Sequence, residues 1–125
     1  MNGPLPKTVL IVEDNELNMR LFNDILQANG YHTLQDKDGR DAVALAEQHH
    51  PDLILMDIRL PVVSGLEIAR EIKAHEHLRH IPVVAITASA LKGDEKKFVD
   101  GGCDGFIAKP ISIPMFLETI ARLIT

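Results

Sequence analysis

Four short apolar runs of the chain each end at a polar or charged side chain of a type that reactive sites use. The runs are rich in branched residues and nearly continuous, which is typical of parallel strands covered on both faces. The residues at their ends are the pair Glu13 and Asp14, then Asp57, Thr87 and Lys109. Because the carboxyl ends of parallel strands meet at one edge of a sheet, we expect these side chains to form a single site.

The spacing of the apolar runs predicts five strands alternating with five helices. The predicted strands, of which the second is polar enough for an edge of the sheet, lie at 8–12, 31–35, 53–56, 83–86 and 106–108. Parallel strands need helical crossovers, so the pattern predicts an α/β fold, a flavodoxin-like (βα)5 three-layer sandwich. We predict the sheet order 2-1-3-4-5, which places a ligand at the carboxyl edge between strands 1 and 3.

Apolar stripes and capping residues predict where the helices lie and which side they bury. Leu17, Leu21 and Ile25 make a stripe at i, i+4 and i+8, which predicts the buried face of the first helix. Ser64 has the position and the spacing of a residue that caps the third helix. A fourth helix is predicted over 91–100.

Length and composition limit the class of protein to which such a site could belong. At 125 residues the chain is expected to be one domain over 7–125, behind a flexible lead at 1–6 and without an output domain. The formal net charge of -5 opposes attraction to DNA phosphates, so direct DNA binding is not expected. The single Cys103 and the lack of a long apolar stretch predict a cytoplasmic protein that does not insert into a membrane.

The carboxylates among the candidate residues indicate a divalent cation. Glu13, Asp14 and Asp57 would repel one another and raise their own pKa values unless a cation neutralised them. Mg²⁺ prefers hard oxygen ligands and commonly combines one or two carboxylates with a phosphate oxygen. Plainer interpretations remain open for single residues, since Asp14 could only cap the first helix and Glu13 could be a solvated loop residue.

Asp57 is the residue that we expect to react. It follows an apolar run in which a carboxylate without a partner would cost stability, and beside Mg²⁺ it could attack a phosphoryl group. Thr87 could donate a hydrogen bond to a phosphoryl oxygen, although threonine is also an ordinary strand residue. Lys109 could pair with Asp57 before the reaction, or could be a surface lysine. A cis peptide between Lys109 and Pro110 is predicted, because it would aim the lysine over the edge of the sheet.

Four motifs of the chain together resemble the receiver domain of bacterial two-component response regulators. They are the segment 11–15, the segment 55–61 with Gly65, the segment 106–110, and the pair Thr87 and Ala88. The resemblance covers almost the whole chain and is closest to single-domain regulators of cell division. It implies a stand-alone phosphorelay protein, not an enzyme with a separate substrate, that acts in the control of the bacterial cell cycle or cell division.

The resemblance also implies a mechanism. Asp57 would take a phosphoryl group from a sensor histidine kinase or a histidine phosphotransferase, and the chain would catalyse this transfer and its own slow dephosphorylation. Mg²⁺, or Mn²⁺ in its place, would be held by Asp14, Asp57 and the backbone carbonyl of Arg59, with Glu13 assisting. Lys109 and Thr87 would stabilise the moving group.

A switch and an output surface follow from the same resemblance. Thr87 would move toward the phosphoryl oxygens and Phe106 would turn inward, so that the surface around 91–100, 106–108 and the last helix changes for downstream protein effectors. The unphosphorylated chain is expected to be a monomer. The alternative is a phosphorylation-independent adaptor that keeps the fold. A flavodoxin is disfavoured because Glu13 and Asp14 occupy the loop where it would cradle phosphate.

Overall fold

A five-stranded parallel sheet forms the centre of the protein. The structure is a computed structural model that describes residues 6–58, 60, 64–87 and 102–124. Its strands are β1 (Thr8–Val12), β2 (His32–Asp36), β3 (Leu53–Asp57), β4 (Val83–Thr87) and β5 (Gly105–Ala108). They lie in the order β2-β1-β3-β4-β5, so the predicted sheet order is confirmed.

Helices cover both faces of the sheet and complete three layers. They are α1 (Glu16–Ala28), α2 (Ala42–His49), α3 (Gly65–Ala74) and α4 (Ile113–Leu123). Helices α1 and α4 pack on one face, where Phe22 stacks on Phe116 with ring centroids 5.5 Å apart, while α2 and α3 pack on the other. Buried on both faces, β3 and β4 can be apolar up to their last residues, Asp57 and Thr87. The helix predicted over 91–100 lies outside the described residues, as does most of the predicted lead.

The predicted buried stripe of α1 is wrong at Leu17 and Leu21, whereas its third member, Ile25, is buried. Leu17 is 77% exposed and Leu21 is 40% exposed. The buried side chains of α1 are Met19, Phe22, Ile25 and Leu26. The sequence of α1 contains two overlapping apolar stripes, and the stacking of Phe22 on Phe116 of α4 helps to decide which one faces the sheet. That partner is far along the chain, so the local pattern could not reveal it.

The register of the strands brings their carboxyl ends level at one edge of the sheet, which we call the carboxyl edge. Val12 pairs with Met56, the residue before Asp57, and Thr87 pairs with Ala108. Ser64 caps α3 as predicted, its Oγ accepting a hydrogen bond from a backbone N–H of the first turn. None of the described helices has the length and apolar character needed to cross a membrane.

Candidate functional site

Three carboxylates converge at the carboxyl edge between β1 and β3. Glu13 and Asp14 follow β1, and Asp57 is the last residue of β3. One carboxylate oxygen from each lies within 4.8 Å of the others. Glu13 is 1% exposed and Asp57 is 6% exposed, whereas Asp14 is exposed to solvent. The cluster therefore has a buried floor and one open side, beside which a cavity of about 440 Å³ lies along α1 and β2.

The local structure decides between the interpretations of Glu13 and Asp14. The N-cap of α1 is Asn15, whose Oδ1 accepts a hydrogen bond of 2.9 Å from the Asn18 N–H. Asp14 is thus not the residue that caps the helix, and the buried Glu13 is not a solvated loop residue. Both plainer interpretations are wrong, and both carboxylates are left facing the cluster.

Glu13 accepts a hydrogen bond through only one of its two oxygens, among the residues that the structure describes. Its Oε2 accepts a hydrogen bond of 3.2 Å from the Asn15 N–H, while its buried Oε1 has no hydrogen-bond partner among the residues that the structure describes. Burial, followed by the Asp57 side chain, raises the pKa of Glu13 from 4.5 to about 7, against the opposing effects of the Asn15 amide and Lys109. A buried carboxylate oxygen without a hydrogen bond is costly. The Lys109 ammonium, 3.5 Å from Oε1, offsets part of that cost, and a metal cation beside the oxygen would offset more.

Lys109 brings a positive charge to this cluster. Its Nζ lies 3.4 Å from Asp57 Oδ2 and 3.5 Å from Glu13 Oε1. The Lys109–Pro110 peptide is cis, and the Lys109 N–H donates a hydrogen bond of 2.8 Å to the Thr87 carbonyl. Lys109 follows the edge strand β5, yet its ammonium reaches the Asp57 carboxylate at the end of the central strand β3.

Thr87 and Phe106 lie on the same face of the sheet. Thr87 is the buried last residue of β4. Phe106 of β5 is half-buried, pairs in register with Ala85, and packs on the core beneath α2 and α3. Because side chains alternate along a strand, Ala85 and Thr87 point to this same face. Of the other expected site residues, Arg59 and Ala88 lie outside the described part of the chain.

Two further residues support the site: Asp36, which the sequence did not single out, and Gly65, which belongs to a receiver-like motif but was given no role. Asp36 ends β2, where its buried carboxylate accepts hydrogen bonds from the Gly39 and Asp41 N–H groups and its carbonyl accepts one from Glu13. Burial raises the pKa of Asp36. Gly65 begins α3, and a Cβ at this position would lie 2.5 Å from the Asp57 carbonyl oxygen. An acidic residue at a strand end was the available signal for Asp36, but the predicted strand stopped one residue short of it.

Comparison with known proteins agrees with this geometry. A family model described as the response regulator receiver domain matches residues 9–121. The polar-differentiation response regulators DivK of Brucella ovis and Brucella anthropi are 59% and 58% identical to the chain over 93% of its length and 94% of theirs.

Solved structures with related sequences share the fold. The receiver domain of a sensor histidine kinase from Pseudomonas aeruginosa, solved with a magnesium ion coordinated in its active site cleft, has a TM-score of 0.88 and 38% identity, with 95% of this chain and 98% of that chain covered. The co-crystal structure of the Saccharomyces cerevisiae histidine phosphotransfer signaling protein Ypd1 with the receiver domain of its downstream response regulator Ssk1 gives a TM-score of 0.87 and 30% identity, with 98% and 92% covered.

Proposed function

The chain belongs to the response regulator receiver family, and we propose that it is a phosphorelay protein that accepts a phosphoryl group on Asp57. The donor is a sensor histidine kinase or a histidine phosphotransferase, and the output is a changed set of contacts with protein effectors. The co-crystal of a related receiver domain with a phosphotransfer protein supports this class of donor. The name of the Brucella relatives supports a role in the bacterial cell cycle or cell division.

The environment of Asp57 is the observation that carries the proposal. Its carboxylate ends a fully buried central strand, and Oδ2 lies 3.4 Å from the ammonium of Lys109. Two further carboxylates, those of Glu13 and Asp14, lie beside it. A plain structural ion pair needs one carboxylate, whereas this edge of the sheet holds a cluster of three, two of them beside Lys109. The surplus negative charge favours a site that binds a cation.

The residues present fit Mg²⁺. Their donors are all hard oxygens, and Glu13 Oε1 is buried without a hydrogen-bond partner among the described residues. Glu13, Asp14 and Asp57 would hold the ion together with the expected backbone carbonyl of Arg59, and Mn²⁺ is expected to substitute. When bound, Mg²⁺ supplies positive charge that offsets the carboxylates and the phosphoryl oxygens. The magnesium ion in the related Pseudomonas domain supports this assignment.

The transfer itself needs a nucleophile and donors in fixed positions. A carboxylate oxygen of Asp57 attacks the phosphorus of a phosphohistidine, the new O–P bond forms, and the P–N bond breaks with its electron pair returning to the imidazole. Lys109 pairs with Asp57 beforehand and with the phosphoryl oxygens afterwards. Thr87 donates its hydroxyl hydrogen bond to the same oxygens. The chain thus catalyses its own phosphorylation by positioning and, more slowly, its own dephosphorylation by water.

The output is proposed to begin at Thr87 and Phe106. Movement of Thr87 toward the phosphoryl oxygens vacates space on the face of the sheet that Phe106 shares. A cavity of about 340 Å³ lined by Phe106, Met115 and Thr119 lies between β5 and α4. A rotation of Phe106 would therefore change the shape of this cavity and of the surface around it. Effectors that contact β5 and α4 would then distinguish the two states.

A small phosphodonor tests the proposed function. The parent is incubated with Mg²⁺ and acetyl phosphate, and its intact mass is compared with those of Asp57→Asn and of Asp24→Asn, a matched change at an exposed position of α1. We expect one phosphoryl adduct on the parent and on Asp24→Asn, and none on Asp57→Asn or without Mg²⁺. An unmodified, folded parent that also fails with phosphorylated kinase would favour the phosphorylation-independent adaptor.

A further inference from the structure

Lys73 connects several elements at the opposite edge of the sheet, the amino edge, where the strands begin. It is the penultimate residue of α3, and its ammonium donates hydrogen bonds of 2.8 Å to the Ile81 carbonyl and 3.2 Å to the Arg79 carbonyl. It also forms an ion pair of 2.7 Å with Asp104 Oδ2. All three N–H donors of the lysine therefore have acceptors. With 22% of its side chain exposed, this is not a solvated surface lysine.

Asp104 joins the starts of two strands. It immediately precedes β5, and its N–H donates a hydrogen bond of 2.7 Å to the Val83 carbonyl, while its Oδ2 accepts one of 2.8 Å from the Val83 N–H. Val83 is the first residue of β4. The two residues thus bind each other reciprocally, and the oxygen that accepts from Val83 is the one that pairs with Lys73.

The turn before β5 is shaped to fit the stem of Lys73. Gly102 has a φ of +99°, a conformation that favours glycine. A Cβ at Gly102 would lie 2.8 Å from Lys73 Cγ. The lysine is therefore enclosed by the turn on one side, and it is bonded by its ammonium to the start of β5 on the other.

The strand that this arrangement holds is the one that carries the lysine of the site. Strand β5 has four residues and a single neighbour, β4. Beyond its ladder, it is fixed at its start by Asp104 and at its end by the Lys109 N–H, which donates to Thr87. A short edge strand is easily tilted or shifted along its neighbour. Fixing one end determines where the side chain at the other end points.

We propose that Lys73 and Asp104 form an amino-edge clamp that positions Lys109, across the length of β5, against Asp57. Lys73 is thus a positioning residue for the reaction at the carboxyl edge, and this role rests on the proposed function. The effect of positioning can be large, since a displacement of about 1 Å caused far from the reacting atoms can cost roughly 100-fold in rate.

Amide hydrogen exchange tests the clamp without any phosphorylation. Lys73→Met keeps the apolar stem of the side chain but removes the charged hydrogen bond from Lys73 to Asp104. We therefore expect the Lys109 amide in this variant to exchange about tenfold faster than in the parent. The amides of β3 should be unchanged. A purely local role would speed exchange at Asp104 and leave Lys109 as in the parent, and that result overturns the proposal. Should Lys73→Met not fold, Asp104→Asn replaces it with the same expected results.

Asp52→Asn is the matched control. Asp52 precedes β3 and binds Thr8, the first residue of β1, in the same reciprocal way, with two hydrogen bonds of 2.8 Å. Among the ion pairs between described residues none involves Asp52. Its substitution should leave the exchange of the Lys109 amide unchanged. Equal acceleration by both changes would mean general loosening, and it too would overturn the clamp.

Phosphorylation kinetics separate the clamp from the proposed function. With acetyl phosphate and saturating Mg²⁺, Lys73→Met should lower the maximal rate by about tenfold and leave the KM for the phosphodonor unchanged, because Lys109 and not the donor is displaced. If the parent is phosphorylated and the variant matches it, the clamp is refuted and the proposed function stands. If the parent is phosphorylated neither by acetyl phosphate nor by a phosphorylated kinase, the proposed function fails, and the exchange experiment still decides whether Lys73 controls Lys109.

Discussion

Lys109 lies 3.5 Å from Glu13, a buried carboxylate, and at the same time 3.4 Å from Asp57. One ammonium therefore stands beside two carboxylates at the bottom of the cluster, and Asp14 adds a third at its open side. The charge of the lysine is too small to balance all three. Burial is the main cause of the raised pKa of Glu13, and the Asp57 side chain adds to it. Together with the excess of carboxylates, this shift leads to predictions about pH, metal ions and the lysine itself.

Glu13 makes stability depend on pH in buffer that contains a chelator. Its pKa is raised from 4.5 to about 7, so the folded state holds a proton that the unfolded state releases. The associated stability, about 3 kcal/mol, is fully present below pH 4.5 and is lost as the pH rises through 7. Urea unfolding of the parent and of Glu13→Gln should show a steeper loss in the parent between pH 5 and 8. If stability falls equally with pH in the parent and in Glu13→Gln, the raised pKa of Glu13 is contradicted. Asp36, whose pKa is also raised, contributes equally to both proteins, so the comparison removes its effect.

Mg²⁺ should stabilise the folded protein. At a free concentration about ten times its dissociation constant, an ion that binds only the folded state adds about 1.4 kcal/mol to the free energy of unfolding. The gain should be larger at pH 8 than at pH 5, because protonated carboxylates are poor ligands. Asp14→Asn should reduce it. Sodium chloride at matched ionic strength is the control, and an equal gain from that salt would show that screening is responsible.

Replacement of Lys109 by glutamine should slow phosphorylation without unfolding the protein. Loss of a charged donor to the moving phosphoryl oxygens is expected to lower the initial rate by roughly 100-fold. Lys7→Gln, at an exposed position, controls for the change in net charge. The rate of adduct formation is followed by intact mass, with unfolding curves recorded for each variant. A Lys109→Gln protein as fast as the parent would remove the lysine from the mechanism.

Gly65→Ala should impair both stability and phosphorylation. The new Cβ would lie 2.5 Å from the Asp57 carbonyl oxygen and 2.9 Å from Ile58 Cα, so backbone must move, at a cost of about 1–3 kcal/mol. At Gly30, with a φ of +88° and no atom within 4 Å of a new Cβ, the change to alanine should lower stability only. If both variants are phosphorylated at the parent rate, the contact between α3 and Asp57 does not position the nucleophile.

The sheet could be predicted from the sequence because its central strands are buried on both faces. A strand such as β3 then appears as a continuous apolar run with one carboxylate at its end. The topology brings such ends together, so Glu13, Asp14 and Asp57 could be grouped before any coordinates were known. The placement of these three residues depends on the order of the strands and the handedness of the crossovers, and both follow general rules of parallel sheets.

Other features depend on partners that no local pattern contains. The stripe of Leu17 and Leu21 on α1 was chosen incorrectly because Phe22 finds Phe116 in another helix. Asp36 was missed because an end of an edge strand is poorly marked, and the close approach of Gly65 to Asp57 exists only in the folded chain. Periodicity indicates which residues are apolar, whereas packing decides which of them are buried.

The most direct test is transfer from a phosphorylated histidine protein. The parent, in Mg²⁺, is mixed with a histidine phosphotransferase or kinase that carries a phosphoryl group, and the modified residue is located by mass spectrometry of its peptides. A single phosphoryl group on Asp57, absent with a chelator and in Asp57→Asn, is the predicted result. A folded parent that takes no phosphoryl group from any competent donor, or an adduct that persists in Asp57→Asn, would contradict it.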